Sequence, residues 1–413
     1  MDARKVQVRN PFVVGREIKY AEPFCNRESE IKWLMDRAKS SESICLISLR
    51  RYGKTSLLNQ VMGKLREEEW VTLKIDLMNV HSIEDFCFFI GQEIRKPQSI
   101  RKKISDTIKR LKPTITVGVD PLTHLPSFGL GLDSTASKKE AILRETLRIC
   151  LKLPELLSKP VLLVFDELQQ VRKIAANGEI EAVMRAVFQK RDYNFVPFYL
   201  GSRRSILKLM FQKESEPFFK SATVREIKEL PCKSYVEFVQ NEFKKTLSIT
   251  PSEEILHTTW KLFHGHPYAV AKVANRLWFG YLETFPKTVE EGERLWLEVI
   301  TEIIREEGTF YEAVNKDLPS YVMVVFRKIT EEGVVERPYQ EEFLDKVGMT
   351  AAKIQKALGI LKKHDKIERG KEGIYILDPL ERLWLFTSRM NEEQIKMTLI
   401  KMLKEKKEKQ PGI

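Results

Sequence analysis

Ser48-Leu49-Arg50-Arg51-Tyr52-Gly53-Lys54-Thr55 joins a short apolar run, Ser43–Ser48, to a helical pattern from Lys54 to about Leu65. A glycine followed by Lys-Thr at such a junction fits a loop that cradles phosphates. Backbone N–H groups would wrap the anion, and the helix starting at Lys54 adds the positive end of its dipole. In that geometry Lys54 reaches the β- and γ-phosphates and the Thr55 hydroxyl ligates Mg²⁺. The residues expected around the phosphates are Arg50, Arg51, Tyr52, Gly53, Lys54, Thr55 and Ser56. Ser48 departs from the G-x-x-x-x-G-K-[ST] pattern by replacing its first glycine, which serves if that position needs no positive φ.

A second element, "VLLVFDELQQ", lies about 110 residues further on. Its continuous apolar run reads as a buried parallel strand that releases two adjacent carboxylates at its C-terminal end, where ligands of open α/β sheets bind. Asp166 is placed to hold Mg²⁺ through water and Glu167 to polarise an attacking water. A third strand ends in "FYLGSRRSI", bringing Ser202, Arg203 and Arg204 to its tip. A polar group there can sense the γ-phosphate, and an arginine can neutralise charge on the transferred phosphoryl group. Arg203 is preferred over Arg204. The set predicts Mg²⁺-dependent hydrolysis of a nucleoside triphosphate, with ATP the expected nucleotide and Glu167, Arg203 and Lys54 the catalytic residues.

These residues need a sheet to carry them, and strands alternating with helices up to about residue 225 indicate one that is parallel and covered on both faces. Helix patterns fall at Arg27–Ala38, Ser82–Arg95, Lys138–Leu153 and Ile180–Lys190, and strands at Val71–Ile75, Pro160–Phe165 and Phe195–Leu200. The basic stretch Lys96–Lys112 reads as a continuing helix. Two alternating segments between Thr114 and Asp133 read as an inserted hairpin. Lys233–Glu307 holds helical patterns only. Beyond Pro319 come a helix at Gln340–Lys346, a Thr350-capped helix at Ala351–Lys363 and a hairpin at Ile367–Leu377, the order of a winged helix. The resulting domains are 1–225, a nucleotide core with a hairpin at 114–133; 226–310, a helical lid; 311–388, a winged helix; and 389–413, a charged tail.

The 413 residues, 43% hydrophobic and 31% charged, suit a folded chain of two or three domains. No apolar run approaches a membrane span, and the N-terminus leads into no secretory signal. The five cysteines form no C-x-x-C pair. They read as buried, reduced thiols, which places the chain in the cytoplasm. His264 and His266 have no Cys, Asp or Glu cluster beside them, so a lid or capping role is expected over a metal site. A net charge of +12 favours polyanionic partners, and a Lys/Glu-rich surface that leans basic is the equal alternative.

The ordered set "FCNRESEI", "SLRRYGKTS", "VLLVFDELQQV", "YLGSRRSILKLMF" and "HGHPYAVAKVANRLW" resembles the archaeal-type AAA+ ATPases, close relatives of the STAND signalling ATPases. The resemblance runs from about Asn10 to about Leu385. It implies an α/β P-loop NTPase fold with a helical lid and a C-terminal winged helix. It also implies that Phe24–Arg27 lies near the adenine, with Arg27 and the lid residue Pro267 among the nucleotide contacts, and that Arg203 matches the arginine ending the sensor strand. Tyr268 stands where other AAA+ proteins carry a second sensor arginine, which puts ring-type hydrolysis between subunits in doubt.

The winged helix points to double-stranded DNA as one partner. Lys353 and Lys356 on the outer face of the second helix and Lys371 at the hairpin tip would meet phosphate. No arginine or asparagine there advertises base reading. The leading expectation is an ATP-hydrolysing switch, slow or partner-stimulated, in which nucleotide state changes how the lid and winged helix sit, the winged helix taking either DNA or protein. Two others stay open: a DNA-binding regulator with ATP as a structural ligand, and a signalling or defence-type scaffold. In the scaffold the winged helix binds protein and the nucleotide controls homo-oligomer formation. No membrane partner is expected.

Overall fold

The computed structural model describes residues 9–95, 117–119, 126–128, 136–175 and 178–404. The chain divides into two compact units. One holds residues 17–22 and 27–228, the other residues 1–16, 23–26 and 229–413.

The first unit is built on five strands: β1 (Ile44–Ile47), β2 (Val71–Asp76), β5 (Val161–Asp166), β6 (Phe195–Gly201) and β7 (Thr223–Glu226). They run parallel in the order β2-β5-β6-β1-β7. Strand composition matches position in the sheet. The apolar strands β1, β5 and β6 are buried along their whole length and lie inside, while the mixed strands β2 and β7 take the edges. β7, "TVRE", has too little apolar pattern to be found from sequence. Insertion of β6 between β1 and β5 brings the three strand ends that carry the predicted chemistry side by side.

Helices Glu28–Lys39, Lys54–Glu67, Ile83–Arg95, Ala136–Leu157 and Glu179–Phe188 follow the expected pattern within a few residues. Asp85 N–H bonds the Ser82 hydroxyl at 3.0 Å, the expected cap. The inserted hairpin appears as β3 (Val117–Val119) antiparallel to β4 (Pro126–Phe128). Lys96–Lys112 and the chain beyond Lys404 lie outside the described residues.

Among the described residues, the second unit consists of helices and loops apart from β8 (Ile367–Arg369) and β9 (Ile374–Ile376), which pair antiparallel as the expected wing. Helix Ala351–Lys363 buries Ile354, Leu358 and Leu361 and exposes Lys353, Lys356, Lys362 and Lys363. Its cap differs from expectation: the Thr350 backbone is extended but its side chain makes no capping bond. The segment read as a tail begins with helix Glu392–Lys404, which buries Ile395, Leu399 and Leu403. The apolar i, i+4 spacing of those residues was masked by the surrounding lysines. No helix among the described residues is long and apolar enough to cross a membrane.

Candidate functional site

The loop after β1 turns through two left-handed residues, Arg51 (φ 62°) and Gly53 (φ 81°). Gly53 is where glycine is needed, and a Cβ-bearing residue at Arg51 costs about 1–2 kcal/mol. Ser48 is not among the residues with positive φ, so its backbone needs no glycine. The side chain at this position has a use instead. Ser48 is fully buried, its hydroxyl donates to the Leu49 carbonyl at 2.9 Å, and it accepts a hydrogen bond from Lys54 Nζ at 3.2 Å. Lys54 Nζ also donates to the Leu49 carbonyl at 3.2 Å. Burial lowers the Lys54 pKa, opposed by the carboxylates of Glu167 and Asp166.

Thr55 and Asp166 come together across the sheet, with Thr55 Oγ1 donating to Asp166 Oδ2 at 2.9 Å. Burial raises the Asp166 pKa; the Thr55 hydrogen bond opposes this and the neighbouring Glu167 adds to it. Asp76 is the register neighbour of Asp166 on β2, so a third carboxylate ends its strand at the same level. The Thr55 hydroxyl and the buried Asp166 carboxylate, its proton affinity raised, are oxygen donors that suit a hard divalent cation such as Mg²⁺. Among the described residues no cluster of three or more His, Cys, Asp or Glu forms a protein-only metal site.

Glu167 occupies a left-handed backbone position (φ 55°) at the start of the short 3₁₀ turn Leu168–Gln170. Its Oε2 accepts from Ser202 Oγ at 2.8 Å and from the Gln169 side-chain amide. Ser202, expected to sense the γ-phosphate, thus touches the expected water-polarising residue. Gln169 was missed in the sequence because glutamines commonly face solvent in such a turn. Here it is only 4% exposed, and its Oε1 has no hydrogen-bond partner among the described residues. A Cβ at Gly201 would fall 2.1 Å from that oxygen, so the glycine makes room for the amide.

The two arginines at the tip of β6 separate. Arg204 ion-pairs with Glu226 of β7. Arg203 is half-buried where helix Arg204–Gln212 begins. Arg50 and Arg51 are exposed, and Tyr52 and Gly53 half-buried. Ser56 is turned to another task, accepting from the Ile18 N–H at 3.0 Å.

Arg27 is 4% exposed and uses its guanidinium structurally, on Glu30 at 2.8 Å and on the Lys228 carbonyl. Those bonds tie helix Glu28–Lys39 to the end of β7. Between them lies a cavity of about 310 Å³ lined by Glu30, Trp33, Leu34, Leu46, Leu57 and the chain from Arg225 to Lys228. The Arg225 guanidinium sits 4.2 Å from the Trp33 ring centroid, and Leu57 comes from the first turn of the helix that Lys54 opens.

In the second unit, Pro267 opens helix Pro267–Thr284, and His266 Nδ1 accepts from the Ala269 N–H at 3.4 Å, the expected capping role. Burial, reinforced by Arg382, lowers the His264 pKa. Lys353, Lys356 and Lys371 are exposed. Lys353 Nζ lies 5.5 Å from the Tyr321 ring centroid.

A family model described as an ATPase domain predominantly from Archaea matches residues 24–273. A second, a probable winged helix domain, matches residues 309–387. The chain is similar to the Walker-type ATPase PABY2304 of Pyrococcus abyssi, at 21% identity and a TM-score of 0.62, over 90% of this chain and 98% of that one. It is also similar to the ORC2 protein of Aeropyrum pernix in its ADPNP–ADP complexes, at 11% identity and a TM-score of 0.54, over 97% and 99% of the two chains. At these identities the likeness is one of fold, an α/β P-loop sheet followed by helices and a winged helix. No curated protein matches the chain. The first family model covers more than half of the 413 residues, and the chain belongs to that family of ATPase domains found predominantly in Archaea.

Proposed function

We propose that the chain binds ATP with Mg²⁺ at the Arg50–Ser56 loop, hydrolyses it, and uses nucleotide state to switch its C-terminal half. The 2.9 Å bond between Thr55 Oγ1 and Asp166 Oδ2, beside Lys54 and Glu167, carries this reading. Thr55 and Asp166 would hold the cation, directly or through water. Bound there, Mg²⁺ would neutralise charge on the β- and γ-phosphates. Lys54 would exchange its bonds to Ser48 and the Leu49 carbonyl for phosphate oxygens. Glu167 would orient and polarise the attacking water, and Arg203 would stabilise charge on the transferred group. The cavity beside Leu57 and Trp33 is of a size to take the purine base, and Arg27 bonds two of its lining residues, Glu30 and Lys228. Nucleotide binding is further supported by the nucleotide complexes of the A. pernix relative in fold.

The exposed lysines of helix Ala351–Lys363 and of the wing favour double-stranded DNA as the partner of the winged helix, at a cytoplasmic location. A second reading, a signalling or defence-type scaffold whose winged helix binds protein, is favoured by the absence of arginine and asparagine on that helix. The experiment that separates them is the ATPase rate and oligomer size of wild type and Lys54→Ala, with and without duplex DNA. A DNA-acting switch turns over faster on DNA and loses all turnover in Lys54→Ala. ATP-dependent oligomers indifferent to DNA would support the scaffold, and turnover unchanged in Lys54→Ala would overturn the site.

A further inference from the structure

The five cysteines fall into two groups. Cys45, Cys87 and Cys150 are buried in the sheet unit, and burial pushes their thiols up, Cys87 to about 12. Cys25 and Cys232 are half-exposed, in the other unit, and depart from the expectation that all five are buried. Cys232 opens the sixteen-residue helix Cys232–Leu247, where the helix dipole favours an anion. Its Sγ lies 3.0 Å from His257 Nδ1, on the helix Glu253–Leu262 packed alongside. Cys25 Sγ donates to the Ser234 carbonyl at 3.7 Å, two residues beyond Cys232.

A second observation at the same place comes from Tyr235. It is 2% exposed, and its hydroxyl has no hydrogen-bond partner among the described residues. Tyr235 follows Cys232 by three residues on the same helix, which puts the two on one face, and both cysteines pack against the apolar cluster that contains Tyr235. Burial raises the Tyr235 pKa, and the two thiols raise it further. A buried donor without an acceptor beside two thiols and an imidazole is suited to receive an oxygen atom.

We propose that Cys232 is a nucleophilic thiol for hydroperoxides, with His257 taking its proton, Tyr235 donating to the incoming oxygen, and Cys25 condensing with the product. The Cys232 thiolate attacks one peroxide oxygen. An S–O bond forms as the O–O bond breaks, the sulfur is oxidised by two electrons, and the departing hydroxide takes the His257 proton and leaves as water. The Cys25 thiol then attacks the sulfenic sulfur. An S–S bond forms, the S–O bond breaks, and a second water leaves.

The test treats the full chain with one equivalent of hydrogen peroxide and follows intact mass and peptide maps. Wild type loses about 2 mass units through a Cys25–Cys232 disulfide. Cys25→Ser gains about 16 on Cys232, and Cys232→Ser is unchanged at the same dose. His257→Phe, or His257→Asn should the phenylalanine variant fail to fold, oxidises at least about tenfold more slowly, because the thiolate fraction falls. Oxidation of Cys232→Ser at the wild-type rate would overturn the proposal, as would equal rates in wild type and the folded His257 variant. Nucleotide turnover is not read in this experiment, so its outcome is independent of the ATPase assignment.

Discussion

Gly201→Ala is expected to slow ATP turnover while leaving nucleotide binding intact. Gly201 is not among the residues with positive φ, so alanine meets no backbone strain and acts by contact alone. Its Cβ would lie 2.1 Å from Gln169 Oε1 and 2.6 Å from Leu207 Cδ1. The aliphatic end of Leu207 can turn aside, but the buried amide must move, and with it the hydrogen bond to Glu167 Oε2. A hydrogen bond to a charged group contributes about 1.5–3 kcal/mol. If that bond sets the position of Glu167 during reaction, turnover falls about 10- to 150-fold, since each 1.4 kcal/mol is a factor of ten. Overpacking costs about 1–3 kcal/mol of stability in addition. The assay is phosphate release under saturating ATP, with fluorescent-nucleotide affinity and thermal melting measured on the same preparations. Gln169→Leu, which keeps the volume and removes the donor, should lower kcat by a similar factor. A melting shift with unchanged kcat in both variants would refute the positioning role and leave Gln169 a packing residue.

Three other outcomes follow from particular contacts. Ser48→Gly should keep nucleotide affinity within about tenfold, because one neutral hydrogen bond contributes about 0.5–1.5 kcal/mol; a complete loss of binding by calorimetry would make the serine essential. Burial pushes the Glu226 pKa up, but Arg204 and Lys208 outweigh it and hold it below the usual value. A depressed carboxylate stabilises the fold above its unfolded pKa of about 4.3 and loses that contribution as pH falls through its folded value. Glu226→Gln should therefore melt lower than wild type at pH 7, with the gap closing in acid; a constant gap across that range would contradict the ion pair. Lys353→Ala and Lys356→Ala should each weaken duplex DNA binding and reduce its log–log salt slope by about 1; unchanged slopes in filter-binding or anisotropy titrations would move the DNA surface elsewhere.

The parts of the site legible in sequence are those whose chemistry needs adjacent residues. Lys54-Thr55 and Asp166-Glu167 each follow an apolar run that could only be an inner strand, and β1 and β5 are such strands. What the sequence withheld depends on who meets whom across the sheet. Ser202 lies 35 residues from Glu167, and their bond exists because β6 inserts beside β5. The amide of Gln169 became visible only with Gly201 above it. The two arginines at the end of β6 look equivalent in sequence, and it is β7, a strand with almost no apolar signature, that claims Arg204. Likewise the bonds of Ser56 to the Ile18 N–H and of Arg27 to the Lys228 carbonyl join stretches of chain far apart in sequence. In the C-terminal half, the lysine-rich composition hid the three apolar residues of helix Glu392–Lys404 that join it to the core.

The most direct test of the central claim is turnover by Glu167→Gln compared with wild type, with nucleotide affinity measured on both. Glutamine keeps the size of the side chain and can still accept from Ser202, but it cannot serve as a base. The account predicts ATP affinity close to wild type and phosphate release lowered by about 100-fold or more, within the roughly 10²–10⁴-fold that a general base contributes. Wild-type phosphate release by Glu167→Gln would contradict it.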